Sequence, residues 1–294
     1  MRRSITIHDL YKMKREAKRI SALTAYDYTS AQIVDRAGVP LILVGDSLGM
    51  VMLGQDTTVR VTLDEMVHHT KATVKGAKRA MVVADLPFLT YQISETQALE
   101  NAGRLMSETG CKAVKLEGGK DIAPTVRRLV DVGIPVLGHI GYTPQFVHLF
   151  GRSRVQGKTW KSGLQLVRDA KALEAAGAFA VVLELVPMQL AGEITRRLEI
   201  PTIGIGSGVN CDGEIQVFHD VFGLYNDFTP KHTKRFVNLA ETLTTAVKSY
   251  KEEVECRVFP GVGQSVSMDA EAINKIRAQL DHENNNPAKA IAVV

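Results

Sequence analysis

The run Leu41-Ile42-Leu43-Val44, followed at once by Gly45, Asp46 and Ser47, leaves few folds open to this chain. Apolar residues at consecutive rather than alternating positions describe a strand covered on both faces, as in a parallel sheet between helices. The acid then falls at the strand's carboxyl end, the rim where α/β sheets and barrels keep their ligand sites. The device recurs. Met81-Val82-Val83-Ala84 ends at Asp85, Ala113-Val114-Lys115-Leu116 at Glu117, Val136-Leu137-Gly138 at His139, and Ala180-Val181-Val182-Leu183 at Glu184. Repetition of a polar residue at successive strand ends describes a crown on one rim of a barrel.

The segments between these runs carry helix punctuation. Ser30 to Ala37 stops at Gly38 with Pro40 beyond, and Thr62 with Glu65 forms a capping sequence for a helix to Gly76. Helices over 94–109, 121–132 and 162–176 are each ended by a glycine, at Gly110, Gly133 and Gly177, and another runs over 188–198. Ile20 to Asp27 supplies the first strand, Pro201 to Gly208 the seventh, Ile215 to Asp220 the eighth, and 233–255 a last long helix. Residues 5–19 form a short cationic amphipathic helix suited to capping the barrel's bottom. The fold class is therefore α/β, a TIM (β/α)8 barrel over residues 1–265, with 266–294 as a tail that is mobile at its end. A doubly wound open sheet is the alternative, since periodicity alone does not show closure. The loop 142–160 is too long for a connector and reads as a lid.

Composition narrows the function. A chain of 294 residues with net charge +4 and no dense basic tract implies neither a nucleic-acid nor a membrane partner. No apolar run approaches the roughly 20 residues of a membrane span, and Arg2-Arg3 precedes no apolar signal region. Cys111, Cys211 and Cys256 lie far apart without C-x-x-C spacing, which fits a reduced, cytoplasmic protein.

The rim residues suggest chemistry. Asp46, Asp85 and Glu117 on three consecutive strands would converge, and three close carboxylates repel unless a cation neutralises them. Mg²⁺, a hard cation that takes oxygen ligands and keeps positions for water and substrate, is the expected metal; local capping or arginine pairing is the bland alternative. Lys115 shares a face with Glu117 and is read as a carboxylate anchor, a Schiff-base lysine, or a salt-bridge partner of Glu117 or Asp85. Glu184, after four apolar residues, is a candidate base with a raised pKa, or else a carboxylate paired with Lys115. His139 is either a donor to a substrate oxygen or a satisfied core histidine. Gly204-Ile205-Gly206-Ser207-Gly208 lacks the lysine of a P-loop and reads as a tight turn, and His68-His69 as surface or packing.

Together the segments GDSLGMV (45–51), VTLDEMVHHT (61–70), DLPFLTY (85–91), VKLEGG (114–119), GHIGYTPQ (138–145), FAVVLELVP (179–187) and IGIGSGVNCDGE (203–214) resemble the ketopantoate hydroxymethyltransferase family, in order and over residues 5–260. The resemblance implies a barrel of the phosphoenolpyruvate/pyruvate superfamily. It implies transfer of a one-carbon unit from 5,10-methylenetetrahydrofolate to 3-methyl-2-oxobutanoate, giving 2-dehydropantoate for pantothenate synthesis, and a homo-oligomer, decameric in the family. It makes Asp46, Asp85 and Glu117 Mg²⁺-associated acids, Asp46, Ser47, Asp85 and Lys115 keto-acid contacts, Glu184 the proton acceptor and His139 an active-site histidine. The chain departs from the family pattern at Arg152-Ser153-Arg154, where a glycine, an aromatic residue and a lysine are usual, and at Tyr142, Ser207 and Glu214. A lyase or mutase of the same superfamily, or a non-catalytic binding barrel, would share the acidic rim.

Overall fold

The computed structural model describes residues 3–285. Helix α1 (Ile7–Arg15) precedes β1 (Ile20–Thr24), α2 (Tyr28–Arg36), β2 (Leu41–Val44) and the single turn α3 (Leu48–Val51). Helix α4 (Leu63–Gly76) leads to β3 (Met81–Asp85), α5 (Glu95–Thr109), β4 (Ala113–Glu117), α6 (Ala123–Asp131) and β5 (Val136–Gly141). After the turn α7 (Val147–Phe150) come α8 (Trp160–Ala175), β6 (Ala180–Glu184), α9 (Met188–Arg197), β7 (Thr202–Ile205), β8 (Gly213–Gln216) and the turn α10 (Phe218–Val221). The strands pair in parallel, each with its neighbour in sequence, and β8 returns to β1, so the barrel is closed. Closure decides against the open sheet.

Two apolar layers hold this barrel. Inside it, Ile20, Leu41, Met81, Ala113, Leu137, Phe179, Ile203 and Ile215 pack with Leu10 of α1. The amino-terminal helix thus plugs the bottom, as expected. It is latched there by Lys14, whose Nζ donates to Thr195 O, Ile200 O and Asp212 Oδ2 at 3.2, 2.9 and 2.9 Å. Outside, alternate strand residues such as Ile42, Val44, Val82, Val114 and Val181 pack on the helices. Fully buried strands need this second layer, which is why they read as continuous apolar runs. The capping box at α4 forms as the sequence indicates, with Thr62 N–H and Oγ–H donating to Glu65 Oε2 at 2.7 and 2.9 Å.

Three boundaries differ from expectation. Strand β8 ends at Gln216, because the Phe218 N–H donates to Thr24 Oγ1 at 3.0 Å and turns the chain into α10. The loop 142–160 is not structureless, since a 3₁₀ turn over Pro144–Phe146 runs into α7. The last long helix, α11 (Leu239–Glu255), begins later than Thr233, whose hydroxyl instead donates to Gln216 Oε1. The turn after β7 needs its glycines: Gly206 and Gly208 have φ of +65° and +78°. Tight turning, not a phosphate cradle, accounts for them.

The chain forms two compact units, Met1–Leu239 and Ala240–Val294. The described part of the second comprises α11, a 3₁₀ turn over Val262–Gln264 and α12 (Ala270–Asn285). On α11 the apolar Leu243, Val247, Tyr250 and Val254 are exposed.

Candidate active site

Every rim residue singled out from strand ends reaches one cleft of about 710 Å³ in the barrel unit. Register explains the convergence. Asp85 lies opposite Lys115, Glu117 opposite His139, and Gly141 opposite Glu184. Residues two apart on a strand share a face, so Lys115 and Glu117 both project into the barrel mouth. Asp46 joins them from the turn after β2. Its N–H donates to Asp85 Oδ2 at 3.1 Å.

Lys115 Nζ donates to Asp85 Oδ1 at 2.7 Å, and both side chains are buried. Burial alone would lower the lysine's pKa, but the carboxylates of Asp85, Glu117 and Asp46 outweigh it and raise it. A cation so held is no amine nucleophile at neutral pH, which removes the Schiff-base reading. It pairs with Asp85, one of the two alternatives. Burial raises the pKa of Asp85, with Lys115 opposing. For Asp46 burial is joined by the charges of Asp85 and Glu117, which together push its pKa well above the ordinary value.

His139 lies between two carboxylates. Its Nδ1 is 3.4 Å from Glu117 Oε1 and its Nε2 is 3.2 Å from Glu184 Oε2. Neither contact is aligned as a hydrogen bond, so the attraction is electrostatic. Burial lowers the imidazole's pKa, yet the two flanking carboxylates outweigh it and push it up to about 9. His139 is thus an imidazolium at neutral pH and not a base. Glu184 faces this cation rather than a dry apolar wall or Lys115. Its side chain is 15% exposed, open enough to meet a substrate.

Sequence reasoning gave no role to Gln145, which ties the acids together. It is buried. Its backbone N–H donates to Glu117 Oε2 at 3.0 Å, and its Nε2 donates to Asp46 Oδ2 and Leu86 O at 3.0 and 2.9 Å. Its Oε1 accepts from Tyr91 Oη at 2.8 Å and from Gln92 Nε2 at 3.1 Å. Tyr91 Oη in turn accepts from the Glu117 N–H at 3.1 Å. Tyr91 stands in an irregular segment and Gln145 in a three-residue 3₁₀ turn, where no periodicity marks them. Their only signal is membership of the DLPFLTY and GHIGYTPQ segments. Ser47 Oγ shares a hydrogen bond of 2.8 Å with Tyr26 Oη. Of the histidine pair, His68 is exposed and His69 Nδ1 meets Tyr26 O at 2.7 Å, a packing role. Among the departures from the family pattern, Tyr142 and Arg154 line the cleft, and Ser207 Oγ–H donates to Leu183 O at 2.7 Å.

The charges suit a divalent cation. Asp46, Asp85, Glu117 and Glu184 share the cleft with Lys115 and His139, with Arg154 and Lys231 also on its wall, and the buried Glu117 Oε1 has no hydrogen-bond partner. Carboxylates crowded into a low-dielectric mouth repel one another, and the raised pKa values of Asp46 and Asp85 reflect that crowding together with burial. Among the described residues no group of three or more His, Cys, Asp or Glu side chains is gathered into a ready-made metal cage. A hard cation that keeps several waters does not need one.

A closed parallel barrel with a charged carboxyl-end rim is the architecture of a TIM-barrel enzyme. The structure is similar to 2,3-dimethylmalate lyase, a PEP mutase/isocitrate lyase superfamily member, with TM-score 0.54, 15% identity and coverage of 93% and 98% of the two chains. It is also similar to a phosphonopyruvate hydrolase complexed with oxalate and Mg²⁺, with TM-score 0.57, 10% identity and coverage of 96% and 99%. At such identities the likeness is one of fold. Sequence goes further, because the model of the family described as ketopantoate hydroxymethyltransferase matches residues 4–262. The 3-methyl-2-oxobutanoate hydroxymethyltransferase of Acetivibrio thermocellus is 54% identical over 283 residues, covering 95% of this chain and all of its own. That of Chloroflexus aggregans is 57% identical over 264 residues, covering 90% and 94%. The chain belongs to the ketopantoate hydroxymethyltransferase family.

Proposed function

We propose that the cleft carries out the family's reaction, transfer of a hydroxymethyl group from 5,10-methylenetetrahydrofolate to 3-methyl-2-oxobutanoate to give 2-dehydropantoate. The observation that carries this reading is the convergence of the buried Asp46, Asp85 and Glu117 on one small-molecule cleft, in a chain of this family. Asp46, Asp85 and Glu117 would hold Mg²⁺. When bound, it supplies Lewis-acid polarisation of the keto acid's two vicinal oxygens. Ser47, Lys115, Asp46 and Asp85 orient the keto acid, and Lys115 brings positive charge to the oxygen that gains electron density as the C3–H bond breaks.

Glu184 takes the C3 proton. The imidazolium of His139, 3.2 Å from Glu184 Oε2, holds that carboxylate at the rim, a positioning role. Water opens the donor's N–CH2–N bridge, breaking both C–N bonds to leave tetrahydrofolate and formaldehyde; the C3 carbon nucleophile adds to the formaldehyde carbon, and its oxygen takes up a proton to become the product's hydroxyl. Gln145 keeps the acids in register at the root of the loop that closes over the cleft. A homo-oligomer, decameric as the family resemblance implies, working in the cytoplasm on small molecules completes the reading. The exposed apolar side chains of α11 are a surface that contacts between copies would cover.

The test is exchange of the C3 hydrogen of 3-methyl-2-oxobutanoate with deuterium in the absence of folate. Mg²⁺-dependent exchange is expected. Its absence in the intact protein, with both added, overturns the proposal.

A further inference from the structure

A cleft of about 710 Å³ is far larger than a small branched keto acid requires, and its β8 side holds a group the proton chemistry does not use. Asp220, in α10, lines the cleft and is 7% exposed. Among the described residues its carboxylate enters no hydrogen bond or ion pair. The nearest cation acting on it is Arg235, whose guanidinium is already donating to Tyr225 O and Thr229 Oγ1 at 3.2 and 2.6 Å. Burial pushes the Asp220 pKa up to about 6, so it is ionised at neutral pH. A buried, unpaired carboxylate costs folding free energy and calls for a partner that arrives later.

We infer that Asp220 is a recognition group for the one-carbon donor, its two oxygens accepting from the adjacent ring N–H and exocyclic amine of the donor's pterin. The inference rests on the reading of the donor as a folate. A 2-amino-4-oxopyrimidine edge presents two donors side by side, which fits a carboxylate in a charge-assisted, bidentate pair. Val217, Tyr225 and Phe228, also on the cleft wall, supply apolar and aromatic surface for the faces of a flat ring. The same carboxylate repels the anionic keto acid and so keeps the two substrates in separate halves of the cleft.

The experiment titrates the full chain, saturated with Mg²⁺ and 3-methyl-2-oxobutanoate, with tetrahydrofolate by calorimetry. Asp220→Asn and Asp220→Ala should weaken tetrahydrofolate on the order of 10- to 100-fold, the loss of a hydrogen-bonded pair to a charged group. An analogue lacking the exocyclic amine should bind more weakly to the unaltered protein, with little further loss on Asp220→Ala. Folate-free C3 exchange should persist in both variants, and their melting temperatures should hold or rise, since an unpaired buried charge is gone. Unchanged tetrahydrofolate affinity overturns the inference. So does a joint fall of affinity, exchange and melting temperature, which would make Asp220 structural. Absence of exchange in the unaltered protein would instead sink the reading of the site itself.

Discussion

Replacing Glu184 by Gln keeps the side chain's size and hydrogen bonding but removes its charge and its capacity to take a proton. Two effects follow from the geometry. The first is chemical: a positioned base contributes roughly 10²–10⁴-fold, so C3 exchange and hydroxymethyl transfer should both fall by such a factor while the keto acid still binds. The second concerns His139, whose pKa of about 9 stands above the ordinary 6.5 because Glu117 and Glu184 outweigh burial. At 1.36 kcal/mol per pKa unit, that elevation is worth about 3 kcal/mol, little screened in a buried ring. A raised folded-state pKa stabilises fully below the unfolded value of about 6.5, and that contribution is lost as pH climbs through about 9. Burial is the largest single influence on the ring, so with one of the two flanking charges gone it is no longer outweighed and more than half of the pH-dependent term should vanish. Urea unfolding of the metal-free protein at pH 6 and pH 10 measures this, and NMR titration of the imidazole gives an independent value. Normal exchange by Glu184→Gln would mean another group is the base. An unmoved His139 titration would mean that the histidine and glutamate are not coupled.

Asp46→Asn and Asp85→Asn should each abolish the rise in melting temperature on adding Mg²⁺ and the keto acid; Asp46→Asn should also stabilise the metal-free protein, because it removes a buried carboxylate held far from its ordinary pKa. A persistent Mg²⁺-induced shift in both would refute the shared metal site. Gln145→Leu leaves Asp46 Oδ2 and Leu86 O without their donor, two buried acceptors at about 1–3 kcal/mol each, so unfolding free energy should fall by about 2–6 kcal/mol. A change below about 1 kcal/mol would mean that water replaces the side chain easily. Light scattering should give a mass several times that of one chain, and a monomeric mass would remove the assembly claim alone.

The barrel was legible because covered strands cannot hide: Leu41–Val44 and Met81–Ala84 have no polar alternation to confuse with a surface strand. The acids were legible because they interrupt those runs at the rim. What escaped was everything that depends on contacts between distant segments. Thr24, at the end of the adjacent strand β1 but distant in sequence, captures the Phe218 N–H and shortens β8, and nothing near residue 218 announces it. Glu184 follows four apolar residues, which implied a dry setting, yet its neighbour in space is His139 on the adjacent strand. Gln145 and Asp220 lie in a loop and a single turn, where neither period of regular structure applies.

The loop after β5 has two parts with different freedom to vary. Up to Phe150 it is tethered to the chemistry, by Gln145 at its root and by the packing of the Phe150 ring 5.5 Å from that of Tyr142. Beyond Phe150 the exposed Arg152, Ser153 and Arg154 touch none of the acids, though Ser153 and Arg154 look onto the cleft. Substitutions there can retune how a large second substrate is admitted without disturbing proton removal. The departures from the family pattern at 152–154 fall in that permissive half. Among related chains, evolutionary drift in donor preference should therefore accumulate past residue 150 while Gln145 and its contacts stay still.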